Sequence, residues 1–460
     1  MEQSETEAIV SAQRGHFESG ATRDIEYRRQ GLVRLRDAVQ ANRGRLVAAL
    51  KEDMGKPAWE AYLADVGTVL SEIDLAVEML EAWTEPRRVR TPPYLIPASS
   101  SIRPEPLGVA LIIGPWNYPF DLVASPLIPA LAAGNCAVVK PSELAPATAG
   151  VTAEIIASAF DPAYVTVANG DHRVASALLE QRFDHIFYTG SGTVGKIVME
   201  AASKHLTPVT LELGGKSPCI VEPDVHVWHA ARRIAWGKYF NAGQTCIAPD
   251  YLLVNAAVKK DLLAALRRAV KAFYGDDPAK SPDYARIVNE RHFERVLRLI
   301  EGDVVVGGES DRDSLYIAPT IIDNVTPEHP AMAEEIFGPV LPVIEYESLD
   351  EAIRFVSERE KPLSLYLFTR DSGKKDRVLA EASSGGTCVN DTMLHFSNSA
   401  LPFGGVGASG FGKYHGRFGF DTFSNLKAVV ERPFWQDVYL RYPPYLKMTG
   451  AVRRIIRHVF

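Results

Sequence analysis

Apolar strand-like runs and helix-patterned runs alternate through the first half of the chain. Val109–Ile113, Ala137–Lys140, Tyr164–Val167 and His185–Tyr188 read as strands. Pro126–Ala133 and Ala147–Phe160 read as helices, and another opens after Gly195, with Val194, Ile197, Val198 and Ala201 on one face. Neighbouring parallel strands need a long crossover, usually a helix. The alternation therefore predicts an α/β fold, with a doubly wound, Rossmann-like parallel sheet of the dinucleotide-binding kind. A second alternating set, from about Val209 to Val389, predicts a second α/β domain. Its strands are Tyr251–Val254, Val340–Tyr346 and Leu363–Phe368, its helices Val258–Phe273 and Leu349–Val356, and the glycine-rich Phe403–Gly412 closes it.

The flanks add less regular pieces. Val66, Val69, Leu70, Ile73, Val77 and Leu80 form an apolar helical stripe within a helical first eighty residues. Pro86–Pro106 reads as an extended arm or hairpin. The apolar tract Leu107–Val139 contains Asn117, Asp121 and several prolines, which a lipid-facing helix would not tolerate, so it reads as buried strand, loop and helix. Met448–Phe460 mixes Val452, Ile455, Ile456 and Val459 with Arg453, Arg454 and Arg457. It reads as a packed terminal helix, with weak peripheral contact to an anionic membrane surface as the alternative.

Length and charge narrow the function. A chain of 460 residues has room for two or three domains. A net charge of −7 argues against a nucleic-acid partner. Four cysteines without paired spacing fit a reducing, cytoplasmic setting. The acidic stretch Met1–Glu7 lacks the apolar core of a signal peptide.

Among the cysteines, Cys136, Cys219 and Cys388 lie in apolar runs, where cysteine serves as a small core hydrophobe. Cys246 instead follows the polar, turn-prone stretch Asn241-Ala242-Gly243-Gln244-Thr245. A loop thiol can ionise and attack an electrophile. Most lone loop cysteines do nothing, so the case rests on companions. Gly190-Ser191-Gly192-Thr193-Val194-Gly195 matches G-x-G-x-x-G between a strand and a helix, where backbone N–H groups can hold a pyrophosphate. Gly405–Gly410 matches too, but no strand precedes it and Phe411–Gly416 is unsuited to start a helix, so it reads as a loop. The fingerprint asks for an acid ~20 residues on. Glu212 answers, either as a ribose ligand or as a general base for Cys246. Asn117 reads equally as a helix cap, Lys140 as a solvated strand end and Glu335 as a surface residue. His226 and His229 have i, i+3 spacing but no third partner, and no metal site is expected.

Seven motifs occur in one order: Pro115-Trp116-Asn117-Tyr118-Pro119, Lys140-Pro141-Ser142-Glu143, the Gly190 turn, Leu211-Glu212-Leu213-Gly214-Gly215-Lys216, Gly243-Gln244-Thr245-Cys246, Glu335-Ile336-Phe337-Gly338-Pro339 and Pro402-Phe403-Gly404-Gly405. Through them the chain, over roughly residues 10 to 430, resembles the aldehyde dehydrogenase superfamily and within it the class 3 group. The resemblance implies Cys246 as nucleophile, Asn117 as oxyanion-hole donor alongside the Cys246 N–H, and Glu212 as general base rather than ribose ligand. It implies Glu335 on the nicotinamide ribose with Phe337 packing nearby, Lys140 and Glu143 on the adenosine ribose, and Gly190, Ser191 and Gly195 about the pyrophosphate. Trp116, Ser142, Leu213 and Gly214 would join these at the cofactor. Gly192 departs from the common pattern, where a bulkier residue is usual.

The same resemblance implies oxidation of medium- or long-chain aliphatic, or aromatic, aldehydes to carboxylates with NAD(P)+. NAD+ is favoured because Glu143 would repel a 2′-phosphate. It implies a cofactor domain in residues 1–85 and 107–210 and a catalytic domain in 211–400. An oligomerisation arm in 86–106 would join a terminal segment in 401–460. A homodimer would use Arg87–Arg103 and Leu426–Val430. Relatives acting on fatty aldehydes carry a long apolar tail that this chain lacks. The rival readings are a CoA-acylating dehydrogenase, which lacks the base glutamate, and a non-catalytic cofactor-binding scaffold.

Overall fold

The computed structural model describes residues 3–437 together with 442 and 443; the terminal segment Val452–Phe460 lies outside them. Two sheets organise the chain. The first runs, in spatial order, Gly410–Phe411, Val209–Glu212, His185–Thr189, Val109–Ile113, Cys136–Lys140 and Val165–Val167. All of its pairings are parallel except that of the edge strand Gly410–Phe411. Every residue of the three central strands is buried, which is why they read as unbroken apolar runs rather than alternating ones. Helices Gln3–Glu18 and Ile25–Met54 belong to this half: Gln13 Nε2 donates to the Ala137 carbonyl at 2.7 Å, and Arg34 to the Ala159 carbonyl at 3.0 Å.

The second sheet orders Asp303–Val306, Thr320–Asp323, Val340–Tyr346, Tyr251–Asn255, Pro218–Val221, Ser364–Phe368 and Gly386–Val389. A separate apolar core surrounds each sheet. A third, antiparallel sheet joins Arg87–Val89, Ser99–Pro106 and Ser424–Glu431, the last two paired along eight residues.

The strands differ from the expected organisation in one respect that matters. Val209–Glu212 pairs with His185–Thr189, so it completes the first sheet, and a boundary at residue 211 cuts it. Gly410 then pairs with Glu212, so Phe403–Gly412 closes the first sheet and not the second. Glycine makes this possible: Gly410 has φ 116, and a Cβ there would overlap the Leu211 backbone. Helix Asp121–Ala133 starts five residues before the expected Pro126. Pro126 and Pro129 lie inside it, and burial of all its residues outweighs their missing N–H donors. Helix His172–Leu179, capped by Asp171, has too short an apolar stripe to stand out in the sequence. Gly416–Thr422 is helical directly after the second glycine match. Among the described residues no helix is long and apolar enough to cross a membrane.

Candidate active site

Parallel strands place their carboxyl ends on one edge, and ligands of such sheets bind beyond that edge. Four expected site segments leave from it. Asn117 follows Val109–Ile113, Lys140 ends Cys136–Lys140, the Gly190 turn follows His185–Thr189, and Glu212 ends Val209–Glu212. Cys246 comes from the other half, in the turn after helix Val227–Tyr239.

That turn is unusual. Asn241, Ala242 and Gly243 are consecutively left-handed, with φ of 53, 51 and 74. At Gly243 a Cβ would overlap the Gly338 carbonyl. The Gln244 side chain ties the turn down: Nε2 donates to the Asn241 carbonyl at 3.1 Å and the Arg286 carbonyl at 2.9 Å, and Oε1 accepts from the Val288 N–H at 3.0 Å. Asn117 Nδ2 donates to the Gln244 carbonyl at 3.0 Å. Asn117 does not cap the helix at Asp121, whose N-cap is Phe120 and which has no side-chain cap. The Asn117 carbonyl accepts from Lys56 Nζ and from Asn241 Nδ2, both at 3.0 Å.

Cys246 and Glu212 line one cavity of about 540 Å³. Tyr118, Trp236, Phe240, Phe403 and Tyr414 supply aromatic walls, and the exposed Trp59, Tyr62 and Leu63 line it further out. Both Glu212 carboxyl oxygens are buried without a hydrogen-bond partner among the described residues. Burial pushes this carboxyl well above the usual range, against the pull of Lys413. Burial likewise pushes the Cys246 thiol up, with added repulsion from Glu335 and Glu212, while the N–H groups of Cys246 and Ile247 oppose the shift.

Glu335 is not a surface residue. Burial, then Asp250, pushes its carboxyl up to about 8, with the Gly215 N–H pulling down. Its Oε1 has no partner, and Gly214 lies so close that a Cβ would overlap the carboxylate. Phe337, at φ 47, meets Trp116 edge-on with ring centres 5.3 Å apart. Lys140 is buried rather than solvated, donating to the Pro141 carbonyl at 3.0 Å and to Glu143 at 2.7 Å. Ser142 Oγ accepts the Leu144 N–H at 3.2 Å.

The glycine turn has separate reasons for each glycine. A Cβ at Gly190 would overlap the Tyr188 phenol, and one at Gly195 would sit 3.0 Å from Leu213 Cδ2. Nothing lies within 4 Å of a Cβ at Gly192, so the departure there leaves the turn sterically intact. Ser191 Oγ accepts the Val194 N–H at 3.4 Å and caps helix Gly192–Ser203. A capped helix N-terminus, an unpartnered buried carboxyl oxygen and a lysine–glutamate pair along one sheet edge fit a dinucleotide. His226 caps helix Val227–Tyr239 by accepting the His229 N–H. Among the described residues no group of three or more His, Cys, Asp or Glu could hold a metal.

Sequence reasoning missed the supports of this site. The buried pair Lys56–Asp65, at 2.8 Å, and the buried Glu60 carry no motif to mark them; Lys56 lies in the loop after helix Ile25–Met54 and Glu60 in the short helix Ala58–Ala61. Lys216, inside a quoted motif, pairs with Asp250, whose Oδ1 accepts the Ile336 N–H at 2.9 Å beside Glu335.

The model of the aldehyde dehydrogenase family matches residues 1–429. The chain is 48% identical over 432 residues to the 4,4'-diaponeurosporen-aldehyde dehydrogenase of Staphylococcus aureus (strain NCTC 8325 / PS 47), covering 93% of this chain and 94% of that one. It is 48% identical over 441 residues to aldehyde dehydrogenase family 3 member A2 of Macaca fascicularis, covering 95% and 91%. A solved substrate-bound state of Staphylococcus aureus AldH superposes with a TM-score of 0.95 at 45% identity, over 98% of each chain. With a carboxyl and a thiol in one apolar cavity and a dinucleotide edge beside them, the chain belongs to the aldehyde dehydrogenase family and, within it, to class 3, enzymes that oxidise aldehydes with NAD(P)+.

Proposed function

We propose that Cys246 is the nucleophile, Glu212 the general base and Asn117 an oxyanion donor in oxidation of medium- or long-chain aliphatic, or aromatic, aldehydes. The observation that carries this reading is the cavity that Cys246 and Glu212 both line, with the Glu212 carboxyl oxygens unpartnered among the described residues. A plain aldehyde carries no oxyanion to drive hydride departure. Attack by the Cys246 thiolate makes a tetrahedral thiohemiacetal that does. One Asn117 Nδ2 hydrogen is held by the Gln244 carbonyl; the other is free for the oxyanion with the Cys246 N–H. One such donor is typically worth ~3 kcal/mol. The Gly190 turn, Lys140, Ser142, Glu143 and Glu335, with Trp116, Leu213, Gly214 and Phe337 about them, would hold NAD(P)+, which would supply the hydride acceptor. Glu212 then takes a proton from water as it attacks the Cys246 thioester. Glu212 stands against a CoA-acylating reaction, and the full set of groups against a non-catalytic scaffold.

We assign cofactor binding to the first sheet with the N-terminal helices, extended by Val209–Glu212 and Gly410–Phe411, and catalysis to the second. The three-stranded arm supports a homodimer, since its strand Ser424–Glu431, paired along eight residues with the half-buried Ser99–Pro106, is mostly exposed.

Five outcomes test the reading. In a series of linear aldehydes assayed for cofactor reduction, kcat/KM should climb by up to about fourfold per methylene, from ~0.8 kcal/mol per buried CH2; a flat series would remove the apolar tunnel from the account. Cys246→Ala should bind cofactor yet form no reduced cofactor. Glu212→Gln should give a single burst of reduced cofactor and then turn over at least ~100-fold slower, with the acyl adduct visible on the Cys246 peptide by mass spectrometry.

In the pH profile, both reacting groups work deprotonated and both are held protonated by burial. Activity is therefore lost on the acid side, and kcat/KM of the free enzyme should rise from neutral into alkaline pH. A profile falling over that span would contradict the assignment. Finally, Glu143→Gln should raise the preference for NADP+ over NAD+ in paired kcat/KM measurements, because it removes the carboxylate facing a 2′-phosphate; an unchanged ratio would move the ribose site elsewhere.

A further inference from the structure

We infer that Glu60 is a positioning residue for the catalytic turn, holding Asn241 in the left-handed conformation from which Cys246 and the Asn117 donor take their places. The inference rests on the roles proposed above for Cys246 and Asn117. Glu60 lies in the short helix Ala58–Ala61, far from Cys246 in sequence, and is buried. Its Oε2 accepts the Asn241 backbone N–H at 2.9 Å. That N–H opens the left-handed run at 241–243, where no intrahelical partner exists for it.

Asn241 is a branch point. Its Nδ2 donates to the Asn117 carbonyl at 3.0 Å and to the Gln244 carbonyl at 3.2 Å. The same Gln244 carbonyl receives Asn117 Nδ2. One amide side chain therefore spans the two segments that supply the oxyanion donor and the nucleophile, and the Glu60 carboxylate fixes its backbone. A single left-handed residue other than glycine costs roughly 1–2 kcal/mol, and Asn241 and Ala242 adopt it consecutively. Such strain persists only where surrounding bonds over-determine it.

The groups facing the Glu60 carboxyl are Lys56, Asp283, Tyr118 and Tyr274, with Asp65 paired to Lys56 behind them. Burial pushes the Glu60 carboxyl up to about 7, against the pull of the Asn241 N–H and Lys56. Its contact with the turn is one oxygen accepting one backbone N–H, so what the turn requires is an acceptor at that place, which glutamine also supplies.

The experiment compares Glu60→Gln, which keeps the acceptor, with Glu60→Met, which keeps the volume and loses it. The full-length enzyme is assayed with NAD+ and a medium-chain aldehyde, and active thiols are counted by the burst of reduced cofactor. Iodoacetamide labelling of the Cys246 peptide is followed by mass spectrometry. Turnover per counted thiol should fall at least about tenfold in Glu60→Met, with aldehyde KM within about twofold, as expected when reacting groups shift without loss of the binding cavity. The labelling rate at Cys246 should change as well, and Glu60→Gln should track the parent on every measure.

A merely structural role would lower the count of active thiols and leave turnover per thiol unchanged, which would overturn the inference. Glu60→Gln as impaired as Glu60→Met would overturn it too. If Glu60→Met does not fold, Glu60→Asp, which draws the acceptor back by one methylene, should show the same loss per thiol, and parental turnover there would sink the idea. Cys246→Ala runs alongside: turnover surviving in that variant means the nucleophile itself is wrongly assigned, whereas a dead Cys246→Ala with a parental Glu60→Met removes only the positioning role.

Discussion

The register of the first sheet is the constraint on which the rest of the site depends. Ile113 pairs with Lys140 on one side and with Tyr188 on the other, and Thr189 pairs with Glu212. Four strands thus end level with one another, and their ends release the Asn117 loop, the Lys140 segment, the glycine turn and the Glu212 segment from one edge. A slip of one residue in any strand would exchange the side chains that fill its two packed faces and move its terminal polar group away from the edge. Because these strands are buried on both faces, the register is fixed by packing from two sides, and the polar ends inherit that precision. The edge strand Gly410–Phe411 adds a lock beside Glu212 that only a glycine can make.

Much of this was legible in the sequence, and the physical reason differs from element to element. Val109–Ile113 and Val340–Tyr346 coincide with their apolar runs, because buried parallel strands leave an unbroken signal. The glycine turn was legible because strand, turn and helix each carry their own mark. Val209–Glu212 was placed with the wrong sheet: chain order alone does not say which edge a strand joins, and its neighbour Gly410–Phe411 is two residues long. The start of helix Asp121–Ala133 was hidden by its prolines. The supports at Lys56, Glu60 and Asp65 left no trace, since a charged residue in a loop or a helix looks the same in sequence whether it faces water or a buried partner.

The electrostatics of the cavity follow from its apolar, aromatic walls. Glu212 and Cys246 have little to stabilise their charged forms, and Glu335 adds repulsion instead of relief. Keeping both neutral spares the folded state two buried charges, each of which would cost several kcal/mol if unpaired. The Glu212 carboxylate, once formed, has no hydrogen-bond partner among the described residues, and only the N–H groups of Cys246 and Ile247 favour the thiolate. Polar groups that must stay fixed are treated oppositely: Lys56 is paired with Asp65, Lys140 with Glu143, and Lys216 with Asp250. The separation between saturated supports and unsaturated reacting groups distinguishes scaffold from chemistry here.

The turn before Cys246 shows how those two classes meet. Left-handed backbone at Asn241 and Ala242 opposes folding locally, yet the turn is held from several segments: Glu60, Asn117, Arg286 and Val288 all touch Asn241 or Gln244 directly. No one of these segments could enforce the turn alone, because a single net hydrogen bond contributes only about 1 kcal/mol. Together they exceed the strain, and they do so only when both halves of the molecule are docked. The turn before Cys246 therefore takes this geometry only in the fully assembled fold.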